Sequence, residues 1–405
     1  MSQYIVTNSR QYWKTNIALF LGSFVTFALL YCVQPLIPIF SQEFMISPAQ
    51  ASLTVSVATA GLAISMLFMS WLSDKKGRKF IMTIALTGAS FCTFLSVLMP
   101  NFYFLLLMRT LAGIMLAGFP AIAMAYINEE FEPGHVGLVM GIYVSGNSVG
   151  GLLGRLLTSV LTDFFYWQVA IAFLSVLSLL ISGWFFLNLP ESKHFTVRQQ
   201  SFSHMIVSLK SHLSNKRLVS LYSIGFIIMG SFVALYNYIS YPLMAPPYNF
   251  SQTVVGCLFF VYLIGTFSST FMGNLADRYG NGMILGIGLC CMLLGASLTL
   301  AVSIYTKAVG LAVFTFGFFG AHSVASSWVA KSVTTNRSQA SALYLLFYYI
   351  GSSILGATGG SFLLWRGWTG VVILITGILS LGILINIQLC WQERVQVQQP
   401  DHEKI

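Results

Sequence analysis

The sequence predicts an all-α membrane protein that crosses the bilayer twelve times, in two similar halves of six helices. Three observations lead to this prediction. The 405 residues are 56% hydrophobic and only 8% charged, with a mean hydropathy of +0.79, whereas soluble domains carry about 25% charged residues. Twelve apolar stretches are long enough to cross a bilayer, which takes roughly 20 residues. The second six stretches repeat features of the first six.

This composition excludes several classes of protein. A chain so poor in charge cannot cover a soluble surface with polar groups, so a soluble enzyme is excluded, as is a disordered chain, which needs high charge and low hydrophobicity. The net charge of +9 arises in short loops between the apolar stretches. Because no helix or face collects these charges, we expect no nucleic-acid partner.

The predicted spans follow one another along the whole chain. The first apolar stretch has no small-residue cleavage site after it, so we expect a retained helix rather than a signal peptide. The spans are predicted to start near Asn16, Ala51, Ile81, Tyr103, Val136, Val169, Val219, Val254, Met283, Ala308, Ala340 and Thr369.

The distribution of Lys and Arg predicts that both termini lie in the cytoplasm. In that orientation sixteen of the twenty basic residues are cytoplasmic, Lys307 and Arg366 lie outside, and Arg109 and Arg155 lie within spans. This is the asymmetry expected of membrane proteins.

The longest polar stretch, residues 191–217, lies midway along the chain and is basic. It predicts a cytoplasmic linker between an N-terminal half, residues 1–190, and a C-terminal half, residues 218–405. Part of this linker, from His204 to Leu213, has the pattern of an amphipathic helix on the inner leaflet.

The two halves match at an offset of 203 to 207 residues. The loop W-L-S-D-K-K-G-R-K at 71–79 corresponds to N-L-A-D-R-Y-G-N-G at 274–282. Such duplication is typical of transporters in which one half rocks against the other. The other matching residues are Tyr31 with Tyr238, Pro35 with Pro242, Gly146 with Gly351, Gly151 with Gly356, and Gly154 with Gly359.

These segments resemble motifs of the major facilitator superfamily. The two loops resemble its signature loop, and Arg109 in R-T-L-A-G is similar to its fourth-helix arginine motif. The run G-N-S-V-G-G-L-L-G-R resembles the glycine-rich motif of its antiporters, and departs from it at Gly151 and Arg155. The segments F-A-L-L-Y-C-V-Q-P and A-H-S-V-A-S-S-W resemble the YnfM type of bacterial inner-membrane transporter.

The resemblance implies the major facilitator fold and solute transport by alternating access, in a monomer of the bacterial inner (plasma) membrane. Because the sequence has no P-loop, we expect transport to be driven by an ion gradient, of which protons are the expected ion. We expect no cofactor. We expect export of a small polar or anionic solute, sugar-like or another metabolite. A polyspecific drug/proton antiporter is the alternative, favoured by 33 Phe and 16 Met, and a lipid flippase is a more remote one. We expect no enzymatic activity, since no catalytic or metal-binding cluster lies in the spans.

The charged residues of the two loops predict a cytoplasmic gate. Gly77 supplies a tight turn, and Arg78 needs an acidic partner, for which Glu129 or Glu130 is well placed. In the second half Asn281 replaces the arginine and no acid ends the tenth span, so donor and acceptor are lost together; the alternative is that all these charges only set the orientation. The predicted gate residues are Asp74, Gly77, Arg78, Glu129, Glu130, Asp277, Arg278 and Gly280.

Three ionisable side chains fall inside predicted spans, where such residues are costly and usually functional. Arg109 is predicted to bind an anionic or polyhydroxy solute; the alternative is a structural bond to backbone carbonyls. Arg155 is assigned to the same site, or else extends to the interface toward Asp163. His322 is predicted to couple protons, or else is a core histidine bonded to a hydroxyl.

Polar and aromatic residues of the spans complete the predicted solute site. The first and seventh spans are the strongest candidates, because the repeat places them symmetrically, although any one aromatic residue can instead face lipid. The predicted solute-binding residues are Arg109, Tyr31, Gln34, Asn147, Arg155, Asn237, Tyr238, Tyr241, Trp328 and Tyr348.

Overall fold

The computed structural model shows a nearly all-helical chain. It describes residues 4–6, 9–98, 101–132, 134–194, 202–333 and 337–398. The helices up to the linker are α1 (Arg10–Tyr31), α2 (Ile37–Glu43), α3 (Pro48–Lys76), α4 (Arg78–Leu95), α5 (Phe102–Leu116), α6 (Pro120–Glu130), α7 (Val136–Phe164) and α8 (Trp167–Asn188). Those that follow are α9 (Phe202–Ser214), α10 (Lys216–Tyr238), α11 (Ser240–Met244), α12 (Gln252–Cys257), α13 (Tyr262–Tyr279), α14 (Asn281–Leu298), α15 (Ile304–Lys331) and α16 (Arg337–Gln398).

The twelve predicted spans are confirmed within the described part of the chain. Ten helical segments there are long and apolar enough to cross a membrane. The short helix α4, which begins with the basic residues Arg78 and Lys79, adds an eleventh span to these ten. The twelfth comes from α16, which holds two spans because its backbone leaves the helical region at Arg366 and Gly367.

Most helices begin a few residues before the apolar stretches that predicted them. The second span, for example, was predicted from Ala51, whereas α3 starts at Pro48. Ser47 and Gln50 form a capping box there, in which each side chain satisfies the other's backbone amide. At α3, polar capping residues therefore extend the helix beyond its hydrophobic core.

The internal repeat is visible in the backbone of the two signature loops. Gly77 separates α3 from α4 with φ 95° and ψ 146°, and Gly280 separates α13 from α14 with φ 93° and ψ 145°. A side chain would strain this conformation, which glycine adopts readily. Each half therefore turns between its second and third spans through one glycine of the same geometry.

Matching glycines also bring matching helices close together. A Cβ atom at Gly146 of α7 would overlap the main chain of Phe20 in α1, and one at Gly351 of α16 would overlap that of Phe226 in α10. Small residues at such crossings allow membrane helices to approach at backbone distance. The α1–α7 pair of the first half thus has its counterpart in α10–α16.

Contacts group the chain into two compact units. The first comprises Met1–Gln199 with Ile239–Phe260, and the second comprises Gln200–Tyr238 with Val261–Ile405. The sequence placed residues 239–260 with the C-terminal half, but this segment packs with the first unit. Of the predicted linker, the structure describes residues 191–194 and 202–217, and α9 lies where the amphipathic helix was predicted.

Candidate functional site

The first unit holds a buried guanidinium among aromatic and amide side chains. Arg155 of α7 is 2% exposed. Its Nε donates to Oε1 of Gln34 over 2.6 Å, and its Nη1 donates to the carbonyl of Gly151 over 2.5 Å. The rings of Tyr31 and Phe259 lie 4.3 and 4.9 Å from the guanidinium carbon. The structure thus brings together three predicted solute-binding residues: Tyr31, Gln34 and Arg155.

A break in helical structure after α1 and the packing of residues 239–260 position this cluster. Helix α1 ends at Tyr31, and a short 3-10 turn, Gln34–Leu36, follows it with a proline at its start. Gln34 is fully buried there and faces α7. Phe259 comes from the segment 239–260, in which Gln252 donates from Nε2 to the carbonyl oxygen of Pro35 over 2.5 Å.

Two buried polar side-chain atoms near the cluster have no hydrogen-bond partner among the described residues. They are Ser159 Oγ and Gln252 Oε1. Ser159 lies one turn beyond Arg155 on the same face of α7, and Gly256 packs closely against it. Because buried polar atoms are nearly always paired in folded proteins, these two can bond to a bound water or to solute oxygens.

Asp163, the alternative partner suggested for Arg155, has a different role. Its carboxylate accepts from the backbone amides of Gln252, over 3.0 Å, and Thr253, over 2.6 Å. These are the first residues of α12, where amide groups point out of the helix and favour negative charge. Asp163 therefore caps α12, while Arg155 turns toward Gln34.

Arg109 is fully buried and bonded entirely to main chain. It donates from Nε to the carbonyl of Thr54 over 3.1 Å, from Nη1 to that of Leu29 over 2.7 Å, and from Nη2 to that of Leu30 over 2.6 Å. One side chain thus ties α5 to both α1 and α3. This is the structural arrangement considered as the alternative to solute binding.

In the second unit, His322 of α15 lies in an aromatic environment. Its Nδ1 lies 3.0 Å from the hydroxyl oxygen of Tyr344, and its ring centroid lies 4.5 Å from that of Tyr348. The side chain is half-buried. An imidazole beside a phenol can hold or pass on a proton, which is the chemistry predicted for His322; Tyr344, its hydroxyl partner, was not predicted.

The other predicted solute-binding residues have partners of their own. Tyr238 and Asn237 both donate to the carbonyl of Gly356, over 2.7 and 3.5 Å. Asn147 accepts from Ser23. The ring centroid of Trp328 lies 5.7 Å from the Arg217 guanidinium, and Tyr241 donates to the carbonyl of Ile37 over 3.4 Å.

The first signature loop is held by the pairing that the sequence predicts. Arg78 donates from Nη2 and Nε to the two carboxylate oxygens of Glu129, over 2.8 and 3.1 Å. Its Nη1 reaches Asp74 over 2.6 Å and Ser73 over 2.8 Å. Paired bonds between a guanidinium and a carboxylate are among the stronger polar contacts. The ends of α3, α4 and α6 therefore meet at one buried arginine.

The second loop has a partner that the sequence did not reveal. The sequence indicates that the counterparts of Arg78 and of its acid are both lost from the second half, and it points to no other pair. In the structure Lys331 Nζ, at the end of α15, donates to Asp277 Oδ1 over 2.7 Å. Arg278 and Gly280 lie beside this pair, and both are exposed.

Glu130, the second acid suggested for Arg78, instead contacts His194. Its Oε1 accepts from the His194 backbone amide over 2.9 Å, and its Oε2 lies 3.3 Å from the imidazole Nδ1. Nothing in the sequence pattern points to this pair, because His194 lies in the polar stretch that follows the sixth span.

Comparisons with known proteins agree with this architecture. The family described as Major Facilitator Superfamily matches residues 19–243 and 231–404. The MFS-type transporter YybF of Bacillus subtilis is 45% identical over 98% of both chains. The inner membrane transport protein YnfM of Escherichia coli is 43% identical over 96% of this chain and 93% of its own.

Solved structures share the fold at low sequence identity. The crystal structure of a bacterial homolog of the human lysosomal transporter Spinster, in an inward-facing and occupied conformation, aligns with a TM-score of 0.74 at 16% identity. The alignment covers 94% of this chain and 95% of that one.

Proposed function

Because the chain belongs to the Major Facilitator Superfamily of membrane transporters, we propose that it exports a small polar or anionic solute, coupled to protons, by alternating access. Transport by this membrane protein follows from the family. The solute class, the coupling ion and the direction are the proposal.

The observation that carries the solute class is the environment of Arg155. A guanidinium offers a planar set of donors that matches carboxylate or vicinal hydroxyl oxygens. In the structure these donors meet neutral oxygens of Gln34 and Gly151, which a solute oxygen can replace. The rings of Tyr31 and Phe259 beside it add a surface for the apolar part of a metabolite.

The proposed proton site is His322. Imidazole is the side chain whose charge changes between pH 5 and 8, and ionisable groups at membrane depth commonly form proton relays. The Tyr344 hydroxyl at 3.0 Å gives the ring a partner with which protons exchange. Protonation of His322 is proposed to alternate with solute binding during the cycle.

The proposed cytoplasmic gate is the network of Asp74, Arg78 and Glu129. It joins three helix ends through one arginine that is 6% exposed. In this proposal the network forms in one state of the cycle and opens in the other. Asp277 and Lys331 form the corresponding contact of the second half.

The proposed setting is a monomer in a bacterial inner membrane with both termini in the cytoplasm. The relative from Escherichia coli is named as an inner membrane protein, and the distribution of basic residues favours this orientation. The proposed partners are the lipid bilayer and a small-molecule solute, without nucleic acid.

A polyspecific drug/proton antiporter is the second candidate. The observation that favours it is an aromatic cluster in the second unit, where the rings of Phe232 and Phe318 stack with centroids 3.6 Å apart. Tyr262 lies 5.3 Å from Phe232 and 5.1 Å from Tyr236. Such surfaces bind flat or cationic drugs through stacking and cation–π attraction.

Thermal unfolding of the purified protein with panels of organic anions, sugars and cationic drugs separates the two candidates. A ligand at 100 times its Kd stabilises the folded state by about 2.7 kcal/mol, which raises the Tm measurably. We expect anions or sugars to raise it, Arg155→Gln to abolish the rise, and the exposed control Arg366→Gln to retain it. Stabilisation by cationic drugs alone would establish the second candidate instead.

A further inference from the structure

The end of α6 carries a buried carboxylate outside the proposed transport site. Glu130 is 3% exposed. It accepts from the His194 backbone amide over 2.9 Å, and its other oxygen lies 3.3 Å from the His194 Nδ1. His194 follows α8, so the pair joins the end of the fourth span to the first residues of the linker.

The same pair holds the N-terminal segment, residues 4–6. The ring of Tyr4 stacks on the His194 imidazole with centroids 4.3 Å apart and planes 8° apart. The backbone amide of Ile5 donates to the carbonyl of Glu130 over 2.9 Å, and Ile5 forms a parallel bridge with Phe131. The segment is thus tied to Glu130 through its main chain and to His194 through its side chain.

Charge at this site depends on His194. A buried carboxylate is costly unless a positive charge or several hydrogen bonds compensate it, and the imidazole carries that charge only when protonated. Among the described residues, the titratable groups near the pair are Tyr4 from the N-terminal segment, Tyr126 from α6, and Glu191 and Lys193 from the chain after α8. Glu191 and Lys193 line a cavity of about 230 Å³ with Glu130, and Lys79 pairs with Glu191 over 3.3 Å.

We propose that Glu130, His194 and residues 4–6 form a proton-operated clamp on the face of the first unit that carries the signature loop. At low pH the charged imidazole pairs with Glu130, and the N-terminal segment stays bound. When the imidazole is neutral, the buried Glu130 carboxylate loses its compensating charge, the contact between the two side chains weakens, and the segment bound to both residues is released. By the proposed orientation this clamp senses cytoplasmic pH, separately from the proton site at His322.

The position of the clamp connects it to the gate. Glu129, which holds Arg78, immediately precedes Glu130. A bound N-terminal segment therefore steadies the end of α6 at the residue that closes the Arg78 network. Release of the segment frees the same helix end.

Hydrogen exchange of the purified full-length protein at pH 6 and pH 8, corrected for the intrinsic pH dependence of exchange, tests the clamp. The reporter is the Ile5 amide, which donates to the Glu130 carbonyl. We expect its protection to fall about tenfold at pH 8, the factor that corresponds to about 1.4 kcal/mol of lost pairing. Equal protection at both pH values would overturn the proposal.

Matched variants separate the clamp from a general change in stability. His194→Gln and Glu130→Gln should remove the pH dependence of Ile5 protection. His135→Gln should retain the pH dependence. His135 directly precedes α7, its side chain is 42% exposed, and it pairs with Glu132 rather than with Glu130. An equal fall in protection across α7, or loss of the pH dependence in His135→Gln, would contradict the clamp. This readout needs no solute, so it is independent of the proposed transport function.

Discussion

Lys331 donates to Asp277 across 2.7 Å, and this pair is the inverted counterpart of the Glu129–Arg78 pair in the first half. In the first half the loop supplies the base, and the end of the fourth span supplies the acid. In the second half the loop supplies the acid, and the end of the tenth span supplies the base. Each half thus joins equivalent helix ends by an ion pair, although the charges have exchanged places.

The Asp74–Arg78 pair is more buried than the Asp277–Lys331 pair, so Asp74→Asn should be more harmful than Asp277→Asn. The Arg78 side chain is 7% exposed and that of Asp74 is 28% exposed, against 53% for Lys331 and 65% for Asp277. Breaking the first pair should cost about 1–3 kcal/mol of unfolding free energy and impair cycling. Breaking the exposed pair should change it by less than about 1 kcal/mol. Tm and transport rates of both variants check this, and equal losses would contradict it.

Arg109→Gln should destabilise the fold. The substitution leaves the buried carbonyls of Thr54, Leu29 and Leu30 without their common donor, at an expected cost of about 3 kcal/mol or more. The exposed control Arg366→Gln should change stability by about 0.5 kcal/mol or less. Thermal unfolding measures both. An Arg109→Gln protein with normal Tm and no solute binding would show that Arg109 acts in the site rather than in the scaffold.

His322→Gln should flatten the pH dependence of transport between pH 5.5 and pH 8, because glutamine keeps the size and polarity of the ring but cannot titrate. Tyr344→Phe should shift the profile without flattening it, since it removes only the hydroxyl partner. His135→Gln, on an exposed loop, should leave the profile unchanged. A normal profile in His322→Gln would assign proton coupling to another group.

Gly150→Ala should destabilise the protein, whereas Gly141→Ala should not. Both glycines lie in α7, but a Cβ at Gly150 would overlap the main chain of Phe24, while one at Gly141 would meet nothing within 4 Å. We expect a loss of about 1–3 kcal/mol from overpacking at the first position. At the second, a gain of up to about 1 kcal/mol should follow from better helix propensity. Equal Tm values for the two variants would refute the close α1–α7 packing.

Patterns local in sequence predicted much of the fold. Apolar runs located every span, and the glycines at 77 and 280 located the two turns with matching geometry. The Arg78–Glu129 pair was predictable because the motif fixes one partner and few acids exist to supply the other.

Contacts between distant segments were harder to predict. The residues that complete the Arg155 cluster, Phe259 and Gln252, come from a segment assigned by sequence to the other half. Tyr344 was one of many aromatic residues, and nothing marked it as the partner of His322. Lys331 was counted among the basic residues that set the orientation, which concealed its contact with Asp277.

The most direct test of the account is solute-driven proton movement in proteoliposomes that enclose a pH-sensitive dye. The solute is the compound from the anion and sugar panel that stabilises the purified protein most. Wild-type protein should move protons when a gradient of this solute is applied, and Arg155→Gln should not. His322→Gln should still be stabilised by the solute but should move no protons. Solute flux without proton movement in the wild type would contradict proton coupling, and proton flux driven by cationic drugs alone would contradict the proposed solute class.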